Sequence, residues 1–258
     1  LKPSGPHPDT LEEYLALFAS AGEQQRAGEA SPSYLRSREA AARIAELEPN
    51  ARIVAILREP ASFLRSMHLE LLKDHVETEK DFRKAIAREQ SIGREKPVLW
   101  YSDERVEYVE QLRRYQAAFS PEQVLVLIYD DFRSDNDGTV QQVLRFLGVD
   151  EDAPITASEA NKTVLVRSPR AYDMVRSLYL GRGAAASVAK TAVKAVTPRS
   201  LRRRGLRTLR DTVLYASPPP PDEQLMLELR RRYKGEVEAL SDHLGRDLVS
   251  LWGYDRVE

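Results

Sequence analysis

Two runs of the chain are apolar without a break: Ile53 to Leu57 within "ARIVAILREP" and Val124 to Ile128 within "EQVLVLIYDDF". Unbroken runs of this kind, as opposed to strict alternation, predict strands covered on both faces, as in a parallel sheet. Between and around them the period becomes helical. In "LEEYLALFASA" the residues Leu11, Tyr14, Leu15 and Phe18 recur on one helical face, with Asp9 or Thr10 as the cap and Glu13 three residues after Thr10 in the capping-box position. "RSREAAARIAELEPN" is rich in Ala and Glu and is ended by Pro49. "ASFLRSMHLELLKDH" brings Phe63, Leu64, Met67, Leu71 and Leu72 together, and "DERVEYVEQLRRYQAAF" does the same with Val106, Val109 and Leu112. "DGTVQQVLRFLGV" reads as a helix closed by Gly148.

The last hundred or so residues read as helical throughout. "VRSPRAYDMVRSLYL" and the basic "LRRRGLRTLRDTVLY" are two helices, "SPPPPDE" is an extended spacer, and "DEQLMLELRRRYKGEVEALSDHL" is a long terminal helix. Helices alternating with buried strands define an α/β layer fold with a parallel sheet. The expected organisation is a single domain over 1–258, with an α/β core at 1–160 and a helical part at 161–258. Two strands are too few for a sheet covered on both faces. Further strands are therefore expected to be cryptic or to precede Leu1.

Composition narrows the function classes. The 258 residues are 42% hydrophobic and 31% charged, with a net charge of −1, which is a globular balance and not that of a nucleic-acid binder. Cysteine is absent, which excludes disulfides, thiolate catalysis and cysteine-held zinc, and suits a reducing, cytoplasmic setting. No apolar run reaches the roughly 18 residues of a membrane span. One segment departs from neutrality. Residues 182–210 carry Arg182, Lys190, Lys194, Arg199, the run Arg202 to Arg204, Arg207 and Arg210 with no acid among them. Such a stretch is either a solvated basic helix or a contact for an anionic partner.

The end of the first strand carries the sharpest chemical signal. Ligands in α/β sheets gather beyond the carboxyl ends of the strands, and Arg58 stands there, followed by Pro60 at the expected first turn of a helix. Ser66 falls about two turns along, roughly 9 Å at 1.5 Å per residue. A guanidinium, a hydroxyl and a helix N-terminus can converge on one phosphate. The plainer alternative pairs Arg58 with Glu59 and leaves Ser66 facing solvent. Asp130 and Asp131, at the end of the second strand, invite a Mg²⁺-binding reading, although strand ends are often acidic for no catalytic reason. His68 and His75 lack the further ligands that a metal centre needs.

"RIVAILREPASFLRSMH" resembles the segment by which sulfotransferases bind the 3′-phosphate of 3′-phosphoadenosine 5′-phosphosulfate, and Arg58 and Ser66 occupy its two functional positions. "GEASPSYL" resembles the "E-K-S/T-P-A-Y-F" stretch of carbohydrate sulfotransferases, in which the glutamate is the general base. Glu29 takes that position, preceded by Gly28, which is expected to allow a close backbone approach, and followed by a turn at Ser31-Pro32. Ala30 stands where those enzymes have lysine. "YVEQLRRYQAAFSPEQVLVLIYDDF", "VLRFLGV" and "LGRDLVSLW" look like further blocks of bacterial and carbohydrate-type sulfotransferases.

The resemblance implies a P-loop NTPase-like parallel sheet covered by helices, with a mainly helical C-terminal half. It implies 3′-phosphoadenosine 5′-phosphosulfate as donor, no metal, and a hydroxyl acceptor that is a carbohydrate, a lipid or a small molecule. Arg203 and Gly205, in "RRRG", are candidates for the basic loop that closes over the 3′-phosphate. The family's loop for the 5′-phosphosulfate has no match. "LKPSG", with Lys2, has neither a strand before it nor a helix directly after Gly5, and "GAAASVAKT" lacks a glycine before Lys190. The chain is therefore expected to begin after the first strand and loop. Two alternatives stay open: a P-loop kinase-like phosphotransferase using the acidic strand end, and a non-catalytic module whose basic helices dock an anionic partner.

Overall fold

Both apolar runs are strands. In the computed structural model, which describes residues 8, 10–22, 25–74, 76–92, 99–151, 165–166, 215–216 and 218–258, the order begins α1 (Leu11–Ala16), α2 (Ala40–Leu47), β1 (Ile53–Leu57), α3 (Pro60–Lys73), α4 (Phe82–Ile92). It continues α5 (Tyr108–Ala118), β2 (Val124–Ile128), α6 (Tyr129–Ser134), α7 (Asn136–Leu147), β3 (Leu165–Val166), β4 (Tyr215–Ala216), α8 (Glu223–Leu244) and α9 (Leu248–Leu251). β1 and β2 form a small parallel sheet amid helices, as an α/β chain requires. The chain divides into two compact units, residues 1–55 with 109–126, and residues 56–108 with 127–258.

β1 departs from expectation. Ala55 and Leu57 are buried, but Val54 is 42% and Ile56 49% exposed. Successive side chains on a strand point to opposite faces, so an unbroken apolar run meets cover on one face only.

In the first unit, Thr10 Oγ1 accepts from the Glu13 amide at 3.2 Å, the expected cap of α1. α2 starts at Ala40 because Ser37 Oγ accepts from the amides of Glu39 and Ala40. Its Ala41 packs on Tyr115 and Phe119 of the α5 segment, with Ile44, Ile53 and Val124 around them. The Gln123 amide donates to the Pro49 and Ala51 carbonyls at 2.8 and 3.1 Å, tying the turn before β2 to the loop before β1.

The second unit is built on α3 and the long α8. α8 buries Leu225, Leu229, Tyr233, Val237 and Leu240 along one face and contacts both α3 and α9. Its end is set by Gly245, whose φ of 60° lies in the left-handed region that closes helices. Glu59, 5% exposed, joins three segments. Its carboxylate caps α3 by accepting from the Ala61 and Ser62 amides at 3.0 and 2.7 Å. It also accepts from the Tyr254 hydroxyl at 2.6 Å and lies 3.7 Å from Arg230 of α8. His68 of α3 is buried and stacked on Phe82, with Nε2 donating to the Lys80 carbonyl and Nδ1 accepting from the Tyr101 hydroxyl at 2.8 Å. Glu89 of α4 accepts from the amides of Trp100 and Tyr101.

Three boundaries differ from the sequence pattern, each through a tertiary contact. β2 stops at Ile128 and Tyr129 opens a helix, because Asp131 is held by Arg246 at 2.5 and 2.7 Å and Asp130 accepts from Trp252 Nε1 at 2.9 Å. α5 begins at Tyr108, not Asp103, whose carboxylate is taken by Arg232 and Tyr233 of α8. Val166 and Tyr215, expected in helices, lie instead in an antiparallel ribbon pairing Leu165 with Ala216 and Val166 with Tyr215. β-branched and aromatic residues suit such pairing. The remainder of those two predicted helices lies outside the described residues.

Two outcomes test this account. Glu59→Ala removes the α3 cap and the acceptor of the Tyr254 hydroxyl, and is expected to lower stability by roughly 2–4 kcal/mol in denaturant titrations. Burial holds the His68 pKa below its ordinary value. The unfolded chain then binds a proton that the folded chain refuses, so stability falls as pH drops below about 6.5. His68→Gln should flatten that part of the stability–pH curve, and a curve unchanged in shape would rule out His68 as its source.

Candidate functional site

Arg58 leaves β1 half-buried, its guanidinium 4.7 Å above the ring of Tyr129, the first residue of α6. Its carbonyl accepts from the Tyr108 hydroxyl at 2.9 Å, which fixes the backbone where the strand ends. Arg65 of α3 lies within electrostatic reach. Its pKa is lowered by burial first and by the charge of Arg58 second. The Arg65 guanidinium donates to the Pro219 carbonyl at 2.5 Å, just before α8. Ser66 is the next residue, half-buried on α3. Among the described residues no carboxylate pairs with Arg58 or Arg65. Two like charges crowded without an acid make a region that favours an anion.

Two sequence expectations change here. The N-terminal amides of α3 do not await a ligand, because the Glu59 side chain accepts from Ala61 and Ser62. An anion at this strand end therefore depends on guanidinium and hydroxyl groups, not on the helix terminus. Nor is Arg58 paired with Glu59, which turns to Arg230 and Tyr254 instead. Sequence reasoning missed Tyr129 and Arg65. The signal for Tyr129 was its place at the carboxyl end of the second strand, where α/β sheets gather their ligands.

Glu29 belongs to the other unit and is exposed. The turn after it forms as expected, with the Tyr34 amide donating to the Ser31 carbonyl at 3.1 Å. Among the described residues a methyl placed on Gly28 would meet nothing within 4 Å. Glu29 has aromatic neighbours instead. The Tyr34 hydroxyl hydrogen-bonds to it, and the phenol pKa of Tyr34 is raised by burial and then by the Glu29 charge. Tyr14 of α1 is raised in the same order by the same two causes. Both rings line a cleft of about 340 Å³ completed by Ser37, Glu39, Ala40, Arg43, Ile44 and Leu47. Tyr34 stands inside the "GEASPSYL" block, so its closeness to Glu29 was legible in outline; that of Tyr14 was not.

Arg203, Gly205, Lys2, Lys190, His75 and the basic stretch 182–210 lie outside the described residues. Asp130 and Asp131 are engaged by Trp252 and Arg246, and His68 by Tyr101 and Lys80. Among the described residues no group of three His, Asp or Glu could hold a metal ion, and no helix is long and apolar enough to cross a membrane.

The fold is an α/β one, and among the described residues the two arginines at the end of β1 have no carboxylate partner. The model of a sulfotransferase family matches residues 7–153, and the chain belongs to that family. Its fold is similar to the crystal structure of a sulfotransferase from Alicyclobacillus acidocaldarius, with a TM-score of 0.62 and 23% identity, over 94% of this chain and 74% of that one. A comparison with curated protein sequences found no match.

Asp131→Ala breaks a half-exposed pair with Arg246 and is expected to lower stability by at most about 1 kcal/mol. Adding Mg²⁺ to the unaltered protein should leave its melting temperature in place. A clear rise that Asp131→Ala abolishes would restore the metal reading of this strand end.

Proposed function

We propose that the chain transfers a sulfuryl group from 3′-phosphoadenosine 5′-phosphosulfate to a hydroxyl of a carbohydrate, lipid or small-molecule acceptor. The observation that supports this most is the pair Arg58 and Arg65, crowded at the end of β1 without an acid among the described residues, beside Ser66. In this reading the planar Arg58 fork, held flat by Tyr129, grips the 3′-phosphate in bidentate fashion and Ser66 donates to it. Arg65 supplies a second positive charge that stays in place through its bond to Pro219.

Glu29 acts as general base. The acceptor oxygen forms a bond to sulfur as the bond from sulfur to the bridging phosphate oxygen breaks. The acceptor proton passes to the Glu29 carboxylate, and adenosine 3′,5′-bisphosphate leaves with the bridging oxygen. Tyr34, hydrogen-bonded to Glu29, orients the carboxylate. Catalysis of this type rests on positioning and charge stabilisation. The residues named here bind, orient and accept a proton, and no step calls on a metal.

Calorimetric titration with adenosine 3′,5′-bisphosphate and with 5′-AMP tests the reading. The bisphosphate is expected to bind selectively. Arg58→Ala should weaken it roughly tenfold to a hundredfold, the loss of a charge-assisted pair, with 5′-AMP nearly unchanged. Equal weakening of both nucleotides would remove Arg58 from the 3′-phosphate. Glu29→Gln should leave nucleotide affinity intact while sulfuryl transfer falls about 10² to 10⁴-fold. Unaltered turnover would end its candidacy as base.

A further inference from the structure

The cleft beside Glu29 has a composition that says what enters it. α1 carries Leu11, Tyr14 and Leu15 at helical spacing, with Phe18 in the turn that follows, yet none of the four is buried. Leu11 is 50% and Leu15 54% exposed, while Tyr14 and Phe18 meet edge to face at 5.3 Å. Leu47, on the facing wall from α2, is 55% exposed. A six-residue helix has little stability of its own, so an apolar stripe left open on it is a surface awaiting cover.

The polar groups along the walls are already committed to one another. Arg43 Nε donates to Glu39 at 3.0 Å, and Ser37 Oγ accepts from the amides of Glu39 and Ala40. A sugar packed here would lose water from several hydroxyls and gain few partners in return. The group left to meet a hydroxyl is Glu29 at the tyrosine edge, which has no ion-pair partner among the described residues. That carboxylate also weighs against a second protein copy as the cover, because a partner's apolar face would bury a charge without compensation.

We propose that the cleft binds the apolar portion of the acceptor, which is an amphipathic alcohol: a hydroxyl presented to Glu29 on a long hydrocarbon chain that runs between Tyr14 and Leu47 and over Leu15. The assignment rests on the transferase reading of Glu29 and narrows its acceptor to one class. The volume of about 340 Å³ lies within the span of small-molecule sites.

The experiment compares octyl β-glucoside, kept below micelle formation, with methyl β-glucoside, which has the same head group and no tail. Affinities are read by calorimetry and by chemical shifts of the tyrosine rings. The octyl compound is expected to bind at least tenfold more tightly. Leu15→Ser and Leu47→Ser, both at exposed positions and so compatible with folding, should each remove threefold or more of that preference without altering methyl glucoside binding. Equal affinity for the two glucosides would overturn the proposal. So would a tail preference that survives both substitutions, or a dimer of the unaltered protein that Leu15→Ser splits. Adenosine 3′,5′-bisphosphate is titrated in parallel. Loss of nucleotide selectivity with tail-dependent binding intact sinks the transferase reading and leaves the cleft as an amphiphile site. The reverse outcome sinks the cleft alone.

Discussion

The buried carboxylate of Glu59 is the constraint on which the second unit depends. It is a charged group removed from water, and it is tolerable there only because it collects the Ala61 and Ser62 amides and the Tyr254 hydroxyl, with Arg230 close by. Those partners come from the start of α3, the C-terminal end of the chain and α8. One side chain thus ties together segments that are far apart in sequence. It also fixes what lies beside it: the residue before Glu59 is Arg58, whose carbonyl is pinned by Tyr108. The strand end is held rigid, and a rigid strand end is what a guanidinium needs in order to present its fork in one orientation.

A second consequence follows from where the acids are used. Glu59, Glu77 and Glu89 are buried and occupied with backbone amides, a tyrosine hydroxyl or Arg88, while Asp103, Asp130 and Asp131 are bonded to side chains of the C-terminal helical segments. The carboxylates nearest the end of the sheet are therefore consumed in holding the fold. Among the described residues Arg58 and Arg65 have a ring and a carbonyl as neighbours, and the charge of Arg58 adds to the burial cost of charging Arg65. Among the described residues no acid balances this pair, in a chain whose net charge is only −1. On the other unit, Glu29 is placed differently again, exposed and edged by Tyr14 and Tyr34.

The positions of the candidate residues were written in short motifs. Arg58, Ser66 and Glu29 fall where the sequence alone places them, at a strand end, on the following helix and before a Ser-Pro turn. Their partners were not legible, because they come through space. Tyr129 reaches Arg58 from the end of the next strand, the charge of Glu29 acts on Tyr14 of α1, and Pro219, more than 150 residues further along the chain, reaches Arg65. The fate of the α3 amides illustrates the limit. A helix N-terminus after a strand reads as a free anion site until a side chain one residue away is seen to fill it.

The sequence by itself determined the α/β class, the two core strands, most helices and the caps at Thr10 and Gly148, because periodicity and capping are properties of neighbouring residues. Tertiary structure decided where those elements stop and which faces they bury. β2 yields to a helix at Tyr129, α5 waits until Tyr108, and β1 is covered on one face although its pattern asked for two. In each case the deciding contacts join residues widely separated along the chain, Asp131 with Arg246 and Asp103 with Tyr233 among them. No local pattern encodes such pairs, since their energy exists only after the chain has brought them together.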